Sequence, residues 1–261
     1  MSQIVQEGWK IVRYNKGEKT SDAEIIATEY PLTVYVNDEE FATLVCTPTD
    51  IEELVLGFLA SEGFIRLYSE VKEIQVDKDR GFAYVTLHKE LEQSRHSSSK
   101  RFIGSCCGKS RQFYFQSDVM TAKTVTSDLT IPAENCLELM ESLQSQSNDF
   151  QKTGGVHNAA LCTIEDLLVM RTDIGRHNAL DKIYGHILQE NIPLQDKVIA
   201  FSGRISSEVL LKISKMGVAI IISKSAPTDL ALELANDLGI TAIGFARRNK
   251  MNVYTHHERV I

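Results

Sequence analysis

The second half of the chain repeats one pattern: short apolar runs of strand length alternate with amphipathic stretches of helix length. Strands are expected at Ala159 to Thr163, Leu167 to Thr172, Val198 to Ser202, Ala219 to Ile222 and Thr241 to Gly244. Helices are expected at about Asn178 to Leu188, Ser207 to Met216 and Thr228 to Leu238, after one at about Glu134 to Gln146. Leu180, Ile183, Tyr184, Ile187 and Leu188 recur at helical spacing, as do Leu230, Leu234 and Leu238. Such alternation buries the apolar strands only if helices cover the sheet, which predicts a layered α/β fold. The first half reads differently, with strands expected at Leu32 to Val36, Glu40 to Cys46, Val71 to Val76 and Phe82 to His88. Thr49 and Glu52 have the spacing of a capping box before a helix whose face is Ile51, Leu54, Val55, Phe58 and Leu59, with Gly63 as its stop. The division expected is a strand-rich portion over residues 1–125 and an α/β cofactor-binding domain over 126–261.

Open α/β sheets bind ligands beyond the carboxyl ends of their strands, where helix N-termini present backbone N–H groups. Three of the predicted strands end in basic segments. Val198 to Ser202 runs into Gly203-Arg204-Ile205-Ser206-Ser207, Ala219 to Ile222 into Ser223-Lys224-Ser225-Ala226-Pro227-Thr228, and Thr241 to Gly244 into Phe245-Ala246-Arg247-Arg248-Asn249-Lys250. If the strands are neighbours, Arg204, Lys224, Arg247, Arg248 and Lys250 converge on one edge suited to an anion with more than one phosphate. Two of these strand ends add hydroxyls. Thr153-Gly154-Gly155-Val156-His157-Asn158 and Asp173-Ile174-Gly175-Arg176-His177-Asn178 bring in His157 and His177, whose titration near neutral pH suits acid–base or hydrogen-bonding work in a pocket.

A separate reactive centre is expected at Ser105-Cys106-Cys107-Gly108-Lys109-Ser110, where adjacent thiols lie among small and polar residues. Arg95, Lys100, Arg101, Lys109 and Arg111 are close in sequence, and nearby cations favour the nucleophilic thiolate. The preceding segment from Glu92 to Arg101 has the composition of a mobile loop, and Phe113-Tyr114-Phe115 that of a short strand. The five cysteines, Cys46, Cys106, Cys107, Cys136 and Cys162, form an odd set without metal-ligand spacing, so no disulfide framework or zinc site is expected. His88-Lys89-Glu90 and His256-His257-Glu258 fit His-x-Glu, but no Pro-Cys-x-x-Cys element completes a deaminase zinc site.

A formal net charge of −7 argues against coating nucleic acid, and the longest apolar run, Val218 to Ile222, is too short to span a bilayer. A cytoplasmic protein without membrane or nucleic-acid partners is expected.

Over nearly its whole length the chain resembles the FdhD/NarQ family of formate dehydrogenase accessory sulfurtransferases. The likeness rests on Glu29-Tyr30-Pro31-Leu32-Thr33-Val34, Leu56-Gly57-Phe58-Leu59-Ala60-Ser61-Glu62-Gly63, Cys107-Gly108-Lys109-Ser110, Thr153-Gly154-Gly155-Val156-His157, Asp173 to Lys182, Ser202-Gly203-Arg204 and Gly244-Phe245-Ala246-Arg247. The resemblance implies a cytidine-deaminase-like α/β/α core in the second half. It further implies a sulfur carrier that accepts persulfide sulfur from a cysteine desulfurase on Cys107. The sulfur passes to the molybdenum bis(guanine dinucleotide) cofactor of formate dehydrogenase, bound as substrate by the segment from Phe245 to Lys250. A homodimer is expected on the same ground. Some members carry Cys-x-x-Cys; here the second position is Ser110, and Cys106 precedes Cys107 instead. Two rival readings are a non-catalytic chaperone that binds the cofactor without using a thiol, and a redox sensor in which Cys106 and Cys107 form a vicinal disulfide.

Overall fold

The computed structural model describes residues 4–89, 101–103 and 122–261. The Cys106–Cys107 pair, the polar segment before it up to Lys100 and Phe113-Tyr114-Phe115 lie outside the described residues. The chain opens with an antiparallel ribbon of β1 (Val5–Asn15) and β2 (Glu18–Ala27), which no sequence signal announces. Most of its residues are exposed, so it lacks the one-sided apolar alternation by which a half-buried strand is read.

A five-stranded sheet follows, made of β3 (Tyr30–Val36), β4 (Glu39–Cys46), β5 (Val71–Asp77), β6 (Phe82–Leu87) and β7 (Arg101–Ile103), in the order β5-β6-β3-β4-β7. Leu32, Val34 and Val36 of β3 and Ala42, Leu44 and Cys46 of β4 are buried at every second position, as a sheet with one covered face requires. The cover includes α1 (Ile51–Ser61), whose predicted apolar face is buried, and the chain leaves the helix through Gly63 at φ 79°. The capping box does not form. Asp50 is the N-cap, in a left-handed conformation, and Thr49 stands outside the helix with its hydroxyl 3.5 Å from Lys182 Nζ.

The second half forms a six-stranded sheet of β8 (His157–Cys162), β9 (Leu167–Asp173), β10 (Val198–Phe201), β11 (Ile220–Ser223), β12 (Thr241–Arg247) and β13 (Lys250–Val253). Its order is β13-β12-β11-β10-β8-β9, with β10, β11 and β12 parallel and β8 antiparallel to both of its neighbours. Among the described residues five helices accompany it: α2 (Ala133–Ser145), the short α3 (Asn148–Thr153), α4 (Arg176–Gln189), α5 (Ser207–Met216) and α6 (Asp229–Asp237). The crossovers β9-α4-β10, β10-α5-β11 and β11-α6-β12 all step the same way along the sheet, so α4, α5 and α6 lie side by side on one face. On the other, α2 buries Cys136, Leu139, Met140 and Leu143 across β8 to β12. This is the layered α/β sheet expected from the alternation of strands and helices, with the α/β/α layering that the family resemblance implies. In α6 the small Ala231 and Ala235 are fully buried while Leu230 remains largely exposed, so its leucines flank the contact.

The two halves meet where α1 crosses α4. A Cβ placed on Gly57 would lie 1.7 Å from the Asp181 carbonyl oxygen, and one on Gly185 would lie 1.9 Å from the Glu53 carbonyl oxygen. The helix backbones touch, and neither glycine has a flexible neighbour that could yield. Gly57→Ala and Gly185→Ala are each expected to cost at least the ~1–3 kcal/mol typical of overpacking. Denaturant unfolding checks this, and an unchanged midpoint in both variants contradicts the crossing.

Candidate functional site at the strand-end edge

Strand direction decides which residues share an edge. Strands β9 to β12 that run parallel end at Asp173, Phe201, Ser223 and Arg247, whereas β8 and β13 run the other way and begin there, at His157 and Lys250. The expected convergence is therefore what the topology produces: Arg204, Lys224, Phe245, Arg247, Arg248, Asn249, Lys250, His157 and His177 all lie at this edge. Arg204, Arg247, Arg248, Asn249 and Lys250 are exposed, and Lys224 is half-buried. Ala246 is fully buried, so its side chain belongs to the core and cannot meet a ligand. Helices α4, α5 and α6 also start here, adding the partial positive charge of their N-termini.

The segment after Gly244 is not the plain loop expected. Strand β12 continues to Arg247 and turns back into β13, with Arg247 paired to Lys250. A bulge interrupts the alternation that would have revealed this, because Phe245 takes φ 53°, rare for a bulky residue. Its N–H donates to the Ser225 carbonyl at 3.1 Å, and the Arg247 guanidinium lies 5.8 Å from its ring centroid.

The Ser223 and Ser225 hydroxyls are spent within the protein. Ser223 donates to the Gly203 carbonyl at 2.7 Å and accepts from Ser225 N–H at 3.0 Å, while the Ser225 hydroxyl donates to the Ser202 carbonyl at 3.0 Å. Ser223 and Ser225 therefore stitch the neighbouring loops together. Ser202 Oγ accepts from Asn158 N–H at 2.9 Å and lies 3.4 Å from His157 Nδ1. Burial, reinforced by the Arg176 charge and partly offset by Asp173, lowers the His157 pKa, so this imidazole is neutral at pH 7. His177 Nε2 sits 3.1 Å from Glu208 of α5, tying the start of α4 to its neighbour.

Beneath the edge lies a set of buried charges that the sequence reading passed over. Asp173 and Lys182, both fully buried, pair at 2.8 Å. Asp173 also accepts from Thr47 N–H and hydroxyl, each at 2.9 Å, from Gly175 N–H at 2.8 Å and from the Asn178 amide at 2.9 Å. Lys182 completes its coordination with the Thr47 hydroxyl and the Thr172 carbonyl. Thus the end of β4 is bolted to the turn that opens α4. A second buried pair, Asp181 with Lys212, also engages the Ser61 hydroxyl of α1. A third cluster joins Glu53 of α1 to Arg171 at 2.5 and 2.7 Å and to His186 Nδ1 at 3.0 Å. The available clue was the presence of Asp181-Lys182 between the core residues Leu180 and Ile183 in an otherwise amphipathic helix.

The FdhD/NarQ family model matches residues 27–261. The chain belongs to the FdhD/NarQ family. It is 56% identical over 260 residues to the sulfur carrier protein FdhD of Bacillus licheniformis, covering 100% of this chain and 99% of that one. To the protein of the same name from Bacillus subtilis it is 58% identical over 256 residues, 98% and 97% of the two chains. A crystal structure from Desulfotalea psychrophila, described as a candidate formate dehydrogenase accessory protein, superposes with a TM-score of 0.83 at 26% identity, covering 99% of this chain and 100% of that one.

Three cysteines of this FdhD/NarQ chain are unsuited to sulfur chemistry. Cys46, Cys136 and Cys162 are buried, and burial pushes the thiols of Cys136 and Cys162 up to about 12 and that of Cys46 higher still. They are neutral at physiological pH and shielded from any partner. Cys106 and Cys107 are the remaining two, outside the described residues.

Glu53 gives the junction a pH dependence. Burial alone would raise its carboxyl, but the hydrogen bond and charge of Arg171, with His186 beside it, outweigh that and leave it below its ordinary 4.5. Its contribution is present above about pH 4.5 and is lost as pH falls through the lowered folded value. Glu53→Gln should lower the thermal midpoint at pH 7 and shrink the further loss between pH 5 and 3. A variant whose acid-dependent loss matches wild type contradicts the assignment.

Proposed function

We propose that this FdhD/NarQ protein carries sulfur for formate dehydrogenase. Cys107 takes the terminal sulfur of a cysteine desulfurase persulfide and passes it to the molybdenum bis(guanine dinucleotide) cofactor, a substrate held at the basic strand-end edge. The observation that carries this reading is the gathering of Arg204, Lys224, Arg247, Arg248 and Lys250 at one edge of a chain whose net charge is −7. A dinucleotide brings several phosphates, and charge-assisted hydrogen bonds from arginine are the strong, directional way to hold them. The sulfur-carrier names of relatives more than half identical over the full chain support the same reading.

Chain connectivity supports the placement of the thiol. Ile103 of β7 is level with Leu44 of β4, and Thr47 at the end of that strand is bonded to Asp173 on the edge. Cys107 lies four residues beyond Ile103, a span of at most ~14 Å when extended. Lys109 and Arg111 favour the thiolate. The thiolate attacks the outer sulfur of the donor persulfide. A new S–S bond forms on Cys107, the donor S–S bond breaks, and the desulfurase cysteine leaves as thiolate. His157, neutral beside the edge, and His177, braced by Glu208, line the place where the cofactor would sit.

Intact-protein mass spectrometry after incubation with a cysteine desulfurase and cysteine tests the proposal. Wild type should gain the mass of one sulfur, removable by reductant, and Cys107→Ala should gain none. Equal gain in the variant, or none in wild type, overturns it.

A further inference from the structure

Helix α3 is only 6 residues long, yet it is anchored at both ends. At its start, Ser147 accepts from the buried Asn158 amide at 3.0 Å, and the Asn158 side-chain oxygen in turn accepts from Thr172 at 2.6 Å. At its finish, the Thr153 hydroxyl donates to the Asp149 carbonyl at 2.7 Å and accepts from Gly155 N–H at 3.1 Å. Gly154 closes the helix at φ 63°, its N–H donating to the Phe150 carbonyl at 2.7 Å. The Thr-Gly-Gly-Val-His motif is therefore a helix stop that leads directly into His157 at the edge.

What this bracing presents is Phe150, which remains 40% exposed. A phenylalanine on a rigid mount with so much ring in water is poorly explained by packing. Lys224, at the end of β11 in the basic edge, places Nζ 5.8 Å from its ring centroid. The next residue, Ser225, accepts the N–H of Phe245. One strand end thus connects an exposed aromatic ring, a phosphate-attracting ammonium and the segment from Phe245 to Lys250.

We propose that Phe150 is the platform on which a purine base of the nucleotide substrate stacks, with Lys224 turning from the ring to the adjacent phosphate. This rests on the reading of the edge as a nucleotide site and adds the residue that distinguishes a base from phosphate alone. An exposed ring–ammonium contact is weak, whereas base–aromatic stacking is stronger and tolerates any base. The exchange therefore favours the bound nucleotide.

The test uses GDP and inorganic diphosphate as probes, titrated calorimetrically into the full-length protein. Phe150→Ala should bind GDP about tenfold more weakly and diphosphate as wild type does. The chain has a single tryptophan, Trp9 of β1 in the N-terminal ribbon. In a Trp9→Phe background, Phe150→Trp should be quenched by GDP and not by diphosphate. Unchanged GDP affinity in Phe150→Ala overturns the platform while leaving the edge intact. Parallel loss of both ligands also overturns it, by assigning the effect to phosphate contacts. Failure of wild type to bind either probe overturns the nucleotide site itself.

Discussion

Two helix backbones in contact organise this molecule. The α1–α4 crossing is closer than any side chain permits, and it is possible because Gly57 and Gly185 each face a carbonyl of the opposite helix. Such proximity would be loose in register if only apolar groups flanked it. Here it is flanked by Glu53 with Arg171 and His186, by Asp181 with Lys212 and Ser61, and by Asp173 with Lys182 and Thr47. Buried pairs add little net stability, since desolvation offsets most of their attraction, but a broken one is costly, at roughly 3–5 kcal/mol. Sliding α1 by one turn would strand Glu53, and displacing β4 would leave Asp173 without two of its donors. The charges act mainly by excluding alternatives.

That exclusion has a functional consequence. Thr47 is fixed to Asp173, so the ends of β4 and its neighbour β7 are held beside the turn that opens α4. The thiol-bearing segment leaves β7 from there. On the far side of the turn, the parallel strands deliver their cations and the antiparallel strands contribute His157 and Lys250. In the proposed function this arrangement separates two tasks on one frame: sulfur carried on the segment after β7, and an acceptor held by the strand ends.

The fold was legible where burial followed a simple period. The strands and helices of the second half fall close to their expected bounds because each buries one face or both against a neighbour, and the basic strand ends converge because parallel topology leaves them no other place. The ribbon of β1 and β2 was illegible because solvent surrounds most of it. The extension of β12 was hidden by the left-handed Phe245, which breaks the alternation. Thr49 and Glu52 had capping-box spacing, but Lys182 engages the first and Asp50 takes the cap. Asp173 and Lys182 were overlooked because their roles depend on partners about 130 residues away in sequence, such as Thr47. Local pattern cannot show such pairing.

The central claim is that loading occurs on Cys107 and delivery at the strand-end edge. Single-turnover transfer of radiolabelled sulfur separates the two. Wild type and Arg247→Ala/Lys250→Ala are first charged by the desulfurase, then mixed with formate dehydrogenase lacking its sulfur, and label on the enzyme's cofactor is counted. Both proteins should charge equally, with only wild type delivering at the normal rate. A double variant that charges and delivers as wild type does would contradict the account.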